Sequence, residues 1–187
     1  MNHTIIISGF AGVGKSTLEK KPNLKVLDLD SSAFTWCPGA PSCPNTSRPY
    51  KKFRNHNFKY DYINAIISAY KSQKYHYIFV STHEETRQLL NANSIPFTLV
   101  YPSIDRKEEF TENYIRRGNT DALIKYLTEN WNTLITNLKN DTYSNQKIEM
   151  TSGYLDDYIN KITQYYNKGG KSRNNKKNKR KSKKHNK

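Results

Sequence analysis

A chain of 187 residues is long enough for one domain with a sizeable core and too short for two ordinary domains and a linker. Its net charge of +15 is concentrated at one end: residues 168–187 carry 11 Lys or Arg and no Asp or Glu, leaving 20 basic against 16 acidic residues in positions 1–167. Two cysteines are too few for a secreted disulfide scaffold, no run approaches the roughly 18 apolar residues of a membrane span, and no basic leader precedes the first apolar run, so the expectation is a soluble, intracellular, cytoplasmic protein with no membrane partner.

The first predicted strand, residues 4–8, runs directly into Gly9-Phe10-Ala11-Gly12-Val13-Gly14-Lys15-Ser16, which satisfies G-x4-G-K-[ST] without deviation. Average Gly, Lys and Ser/Thr usage gives a chance match in a chain of this length on the order of one per cent of the time. In such a loop the glycines let backbone N–H groups curl around phosphates and the start of the following helix adds partial positive charge. The lysine reaches the β- and γ-phosphates, and the hydroxyl holds Mg²⁺. Gly9, Ala11, Gly12, Val13, Gly14, Lys15, Ser16 and Thr17 are therefore candidate ATP-binding residues, Lys15 is also a candidate catalytic cation, and a helical stretch is expected over Lys15–Glu19. A glycine turn with an exposed lysine is the alternative.

The second predicted strand, residues 25–30, ends in Asp28-Leu29-Asp30. In open α/β sheets ligands bind beyond the carboxyl ends of the strands, so Asp30 is placed to accept a proton from an attacking hydroxyl or to bind Mg²⁺ through water. Asp28 is a second contributor, and capping of the next turn is the competing role for either. Residues 31–57, with Pro38, Pro41, Pro44 and Pro49, read as a substrate loop or insertion. Cys37 and Cys43 fall there; with His56 they make a poor zinc pattern and read as loop thiols. Arg54, Phe58 and Tyr60 are the cation and aromatics that stand out for base or substrate contact.

Tyr62, Ile63, Ile66, Ile67 and Tyr70 predict a helix before a third strand at residues 75–81. That strand ends in Ser81-Thr82-His83-Glu84, without the Asp that many phosphate-loop enzymes carry there. Ser81, Thr82 or Glu84 completes a metal shell, or Asp30 does; a helix N-cap is the other role open to Ser81 and Thr82. After the fourth strand, residues 97–101, comes a predicted lid at 103–120 with Arg106, Arg116 and Arg117. Spacing puts Arg106, Asn113 and Arg117 within roughly 40° of one helix face, where guanidinium groups can clamp a transferring phosphate. Pairing with Glu108, Glu109 and Glu112 is the alternative.

Leu123, Ile124, Leu127, Trp131, Leu134, Ile135 and Leu138 trace one apolar stripe, read as a single helix of more than four turns. A weaker strand at 147–150 and a final helix at 154–166, with Leu155, Tyr158, Ile159, Ile162 and Tyr166 on one face, complete the order. Strands alternating with helices predict an α/β chain: a three-layer P-loop NTPase fold with a mostly parallel sheet of about five strands, filling one domain over residues 1–166. The basic tail, residues 167–187, is expected to be disordered. Its charge suits non-specific nucleic-acid binding, and Lys176-Lys177-Asn178-Lys179-Arg180-Lys181 resembles a nuclear localisation signal.

In these features the chain resembles the nucleoside monophosphate kinases over about residues 3–166. Residues 28–36, 80–84, 98–102 and 114–119 are similar to kinase-like proteins of phages and large DNA viruses, some relatives of which phosphorylate a modified base within DNA. The resemblance implies a phosphotransferase in which Gly14, Lys15 and Ser16 bind ATP·Mg²⁺, Asp30 serves the acceptor, and Arg106, Arg116 and Arg117 form the lid. The implied acceptor is a small-molecule nucleoside or nucleotide; a kinase acting on DNA or RNA through the tail, and a non-catalytic nucleotide-binding protein, are the alternatives. The family's acceptor-binding arginine motifs are not recognisable in residues 31–57.

Overall fold

The computed structural model describes residues 4–37 and 53–169. Its centre is a five-stranded sheet built from β1 (Ile5–Gly9), β2 (Val26–Asp28), β5 (Tyr77–Val80), β6 (Phe97–Pro102) and β7 (Gln146–Met150), in the order β2-β5-β1-β6-β7 and parallel throughout. Every residue of β1, β5 and β6 is buried, which is why these segments read as continuous apolar runs and not as alternating ones.

Parallel neighbours need long crossovers, and helices supply them. The connection from β1 to β2 steps one way across the sheet through α1 (Lys15–Glu19), whereas those leading to β5, β6 and β7 step the other way. With right-handed crossovers, α1 lies on one face, and α3 (Phe58–Ser72), α4 (Glu84–Ala92) and α7 (Trp131–Lys139) on the other. The contacts agree: α8 (Leu155–Asn167) packs on α1, α3 packs on α4, and α7 packs on β6. This α/β arrangement, with helices on both faces of a parallel sheet, is compatible with three layers.

Two segments differ from expectation. The apolar stripe from Leu123 to Leu138 forms two helices, α6 (Asp121–Glu129) and α7, with Asn130 between them. The Asn130 side-chain amide donates to Tyr126 O at 2.8 Å, competing for a helical carbonyl, and the Trp131 indole N–H donates to Ile104 O at 2.8 Å. Trp131 is fully buried, with the rings of Phe10 and Phe110 at 5.7 and 5.6 Å, so the break lets α7 turn its anchor under the loop that follows β1. The expected structureless insertion contains a short helix α2 (Ser32–Thr35) and an antiparallel pair, β3 (Trp36–Cys37) with β4 (Phe53–Arg54). Residues 38–52 of that insertion, with Cys43, and residues 170–187 of the predicted tail lie outside the described residues. Cys37 is buried and disulfide-bonded, so it is neither a free loop thiol nor available as a zinc thiolate.

Residues 103–120 comprise a single 3-10 turn (Ile104–Arg106), α5 (Lys107–Arg116) and an exposed end at Gly118. Phe110 and Tyr114 of α5 are fully buried in the main core. No helix among the described residues is long and apolar enough to cross a membrane.

Candidate functional site

The Gly9–Ser16 loop sits at the carboxyl end of the central strand and is braced on three sides. Below it, Phe10 N–H donates to Val100 O at 2.9 Å; beside it, Leu155 N–H donates to Val13 O at 2.8 Å; above it, the Tyr114 hydroxyl donates to Ala11 O at 3.0 Å. Gly12 and Gly14 have φ of 83° and 102°, values that favour glycine. At Gly12 a side chain also lacks room, because a Cβ there would lie 2.9 Å from Tyr114 Cε1 and 3.2 Å from Phe110 Cδ1.

The Lys15 ammonium folds over the loop and donates to Gly9 O at 2.9 Å and Phe10 O at 3.1 Å. Burial pulls its pKa below the ordinary lysine value, opposed by Asp28 and Asp30 and assisted by Arg117. Those four charges therefore share one environment, and the loop's lysine is a poorly hydrated cation that an anion would stabilise.

The carboxylates divide their surroundings unequally. Ser16 Oγ donates to Asp28 Oδ2 at 3.2 Å, while Asp28 Oδ1 is buried without a hydrogen-bond partner. Burial raises the Asp28 pKa, with Lys15 and the Ser16 hydroxyl pulling it back. A buried carboxylate oxygen left bare beside a serine hydroxyl is a costly arrangement unless a cation or water completes it. Asp30 is exposed; its Oδ1 accepts from Ser32 N–H at 2.9 Å, so one oxygen caps the turn and the other has no protein partner among the described residues. Tyr62 holds the two strand ends together: its hydroxyl donates to Leu29 O at 2.8 Å and accepts from Ser81 N–H at 2.9 Å, and burial pushes its pKa up to about 12.

A cleft of about 610 Å³ opens over the loop and is lined by Gly9, Lys15, Ser16, Asp28, Asp30 and Arg117 among others. Ser81, Thr82 and Glu84 line it too. The α4 N-cap is His83, which makes no side-chain capping bond, so Ser81 and Thr82 are not occupied as caps; Ser81 Oγ is a second buried, unpartnered oxygen. Among the described residues no three His, Cys, Asp or Glu side chains gather as a self-sufficient metal site. The donors that do meet, Ser16 and Asp28, suit Mg²⁺, which takes one or two protein oxygens and completes its shell with water and substrate phosphate.

The three predicted arginines separate. Arg117 lines the cleft, and its guanidinium makes no hydrogen bond or ion pair among the described residues. Arg106 is buried outside the cleft lining, donating twice to Glu109 at 2.7 and 2.5 Å and lying over the rings of Phe110 and Tyr154. Arg116 is exposed and bonded to Asn113. Arg54, Phe58 and Tyr60 are also outside the lining; Phe58 packs on Tyr62 and His83.

Sequence reasoning missed Arg87. Its guanidinium is 5 % exposed and ion-paired with Asp141, which is fully buried, while its Nε donates to Thr82 O at 3.2 Å; the residue lines the cleft. No sequence signal marked it, because its partner stands 54 positions away. A second hollow of about 670 Å³, by Asn91, Lys139 and residues 140–147, holds none of the predicted site residues. No protein-family profile matches the chain, and no curated protein sequence matches it.

Proposed function

We propose that the chain is an ATP- and Mg²⁺-dependent phosphotransferase of the P-loop kinase type, moving the γ-phosphate of ATP to a nucleoside or nucleotide. The observation that carries this reading is the bare, buried Asp28 Oδ1 beside Ser16, at the mouth of a G-x4-G-K-[ST] loop that also holds Lys15 in a poorly hydrated position. A nucleotide-binding role without turnover would not need a second acid and a free arginine in the same cleft, yet Asp30 and Arg117 are both there.

In this reading Ser16 and Asp28 would hold Mg²⁺, which would supply positive charge against the phosphates of ATP. Backbone N–H groups of residues 11–16 wrap the phosphates, and Lys15 leaves its two carbonyl partners to meet them. Asp30 accepts the proton of the acceptor hydroxyl as its oxygen bonds to the γ-phosphorus and the bond to the β–γ bridging oxygen breaks. Arg117 stabilises charge on the transferring group. ADP and the phosphorylated acceptor leave, and the proton passes from Asp30 to water.

The test is transfer of labelled γ-phosphate from ATP·Mg²⁺ to nucleosides, nucleoside monophosphates and oligonucleotides, with Lys15→Ala as control. Label in one acceptor class that disappears in the control supports the reading. Label only in inorganic phosphate, or none, contradicts it. A second reading, a polynucleotide as acceptor, is favoured by the 11 Lys or Arg of residues 168–187. It requires that removing those residues raise the apparent KM for oligonucleotide steeply with salt.

A further inference from the structure

The cleft is wider than the phosphate loop needs. Besides Asp30 and Arg117, its lining takes in residues of α4, α6 and α7, which make a lobe of the same cleft. The α6 wall is apolar and wet: Tyr126 is 54 % exposed and Leu123 41 % exposed, although both line the cleft and neither belongs to the core. Three residues apart on one helix, they share a face. Their neighbour Leu127 is buried and fixes α6 against the core, so the exposed pair is presented on a rigid support.

Polar groups line the same cleft. Arg87 has its Nε on Thr82 O and its Nη1 on Asp141, leaving Nη2 without a partner among the described residues. Asn137, an exposed amide on α7, lies in the same lining. An exposed apolar pair and two hydrogen-bonding groups in one lining fit a planar heterocycle: the ring face lies on Tyr126 and Leu123, and carbonyl or ring-nitrogen acceptors on its edge meet Nη2 and the amide. A ring-free polyol could use the polar groups but leaves the apolar wall in water. The size of the cleft is that of a small-molecule site.

We propose that this lobe is the acceptor subsite and that it takes the base of a free nucleoside, stacked on Tyr126 and Leu123 and bonded at its edge by Arg87 and Asn137. The sugar then extends toward Asp30, which lines the same cleft. The assignment deepens the phosphotransferase reading and rests on it for the word acceptor, but the binding it describes does not require transfer.

The experiment is calorimetric titration of the full chain, saturated with a non-hydrolysable ATP analogue and Mg²⁺, with thymidine, cytidine, adenosine and guanosine; ribitol and short single-stranded oligonucleotides are the comparison ligands. At least one nucleoside is expected to bind, ribitol not. Tyr126→Ala weakens that nucleoside about 10-fold and Leu123→Asn about 3-fold, while both leave the Kd for the ATP analogue within about twofold. Lys125→Ala, an exposed position of α6 outside the cleft lining, changes neither. Both lobe substitutions are at exposed positions, and unchanged circular dichroism separates lost binding from lost folding. Nucleoside affinity insensitive to both substitutions overturns the proposal, as does binding only to oligonucleotide or only to ribitol. If the analogue binds and label reaches a ring-free alcohol, the subsite falls while the kinase reading stands. If nucleoside binds with the predicted sensitivity but no phosphate is ever transferred, the kinase reading falls and the lobe remains a nucleoside site.

Discussion

Gly12→Ala tests whether α5 is truly wedged against the phosphate loop. The added methyl would sit 2.9 Å from Tyr114 Cε1 and 3.2 Å from Phe110 Cδ1, both rings fully buried, at a φ of 83°. The backbone conformation alone costs an alanine roughly 1–2 kcal/mol, and forcing a methyl into a packed site costs about 1–3 kcal/mol more. Together these give about 2–5 kcal/mol, read as a lower urea midpoint at unchanged m-value. Relief of the clash moves Tyr114 away from Ala11 O, so ATP·Mg²⁺ affinity falls as well. In a Tyr114→Leu background the wall recedes, and a double-mutant cycle should return about 1 kcal/mol or more of the Gly12→Ala penalty as coupling. Gly14→Ala, whose Cβ meets nothing closer than Tyr154 Cβ at 3.4 Å, carries the backbone cost without the clash. A Gly12→Ala protein within about 0.5 kcal/mol of wild type, or one showing no coupling to Tyr114, refutes the packing argument.

Three further outcomes follow from the site's electrostatics. Because burial raises the Asp28 pKa, the native state holds that proton more tightly than the unfolded chain, so stability falls as pH rises from the unfolded carboxylate pKa through the raised folded value. Asp28→Asn should therefore melt higher than wild type at pH 7 while losing Mg²⁺-dependent turnover; a lower melting temperature contradicts the assigned burial cost. Asp30→Asn is expected to lower kcat at least about 100-fold with little change in ATP affinity, since no hydrogen bond among the described residues ties Asp30 to the Gly9–Ser16 loop; equal losses in both remove it as the base. Arg87→Met strands the buried Asp141 carboxylate and should cost about 3–5 kcal/mol in urea unfolding; a near-neutral result means the pair is hydrated.

The central strands of the sheet were legible because every residue of β1, β5 and β6 is buried. Residues 97–101 and 147–150 announced β6 and β7 to within a residue, since Phe97, Leu99 and Val100 keep the first largely apolar and the second ends on buried Met150. The turn at Gly9–Ser16 was legible from its glycines, since Gly12 and Gly14 take the positive φ that favours glycine. Periodicity could not show the break at Asn130, because the apolar stripe passes through it unaltered and the cause is one side-chain amide bonded to Tyr126 O. Nor could spacing rank Asp28 against Asp30: both lie at one strand end, and only the fold shows which is bare beside Ser16 and which caps a turn. Arg106 looked like Arg117 in sequence, yet Glu109, three residues on, already holds it. Arg87 was silent because its partner, Asp141, comes 54 positions later, beyond one strand, a 3-10 turn and three α-helices.

The most direct measurement is equilibrium binding of ATP to wild type and to Lys15→Ala, each with Mg²⁺ and with chelator. The account predicts a saturable site in wild type, weakened at least about 10-fold by chelation and about 100-fold or more by Lys15→Ala, with the fold unchanged. ATP binding that is indifferent to both Lys15 and Mg²⁺ contradicts it.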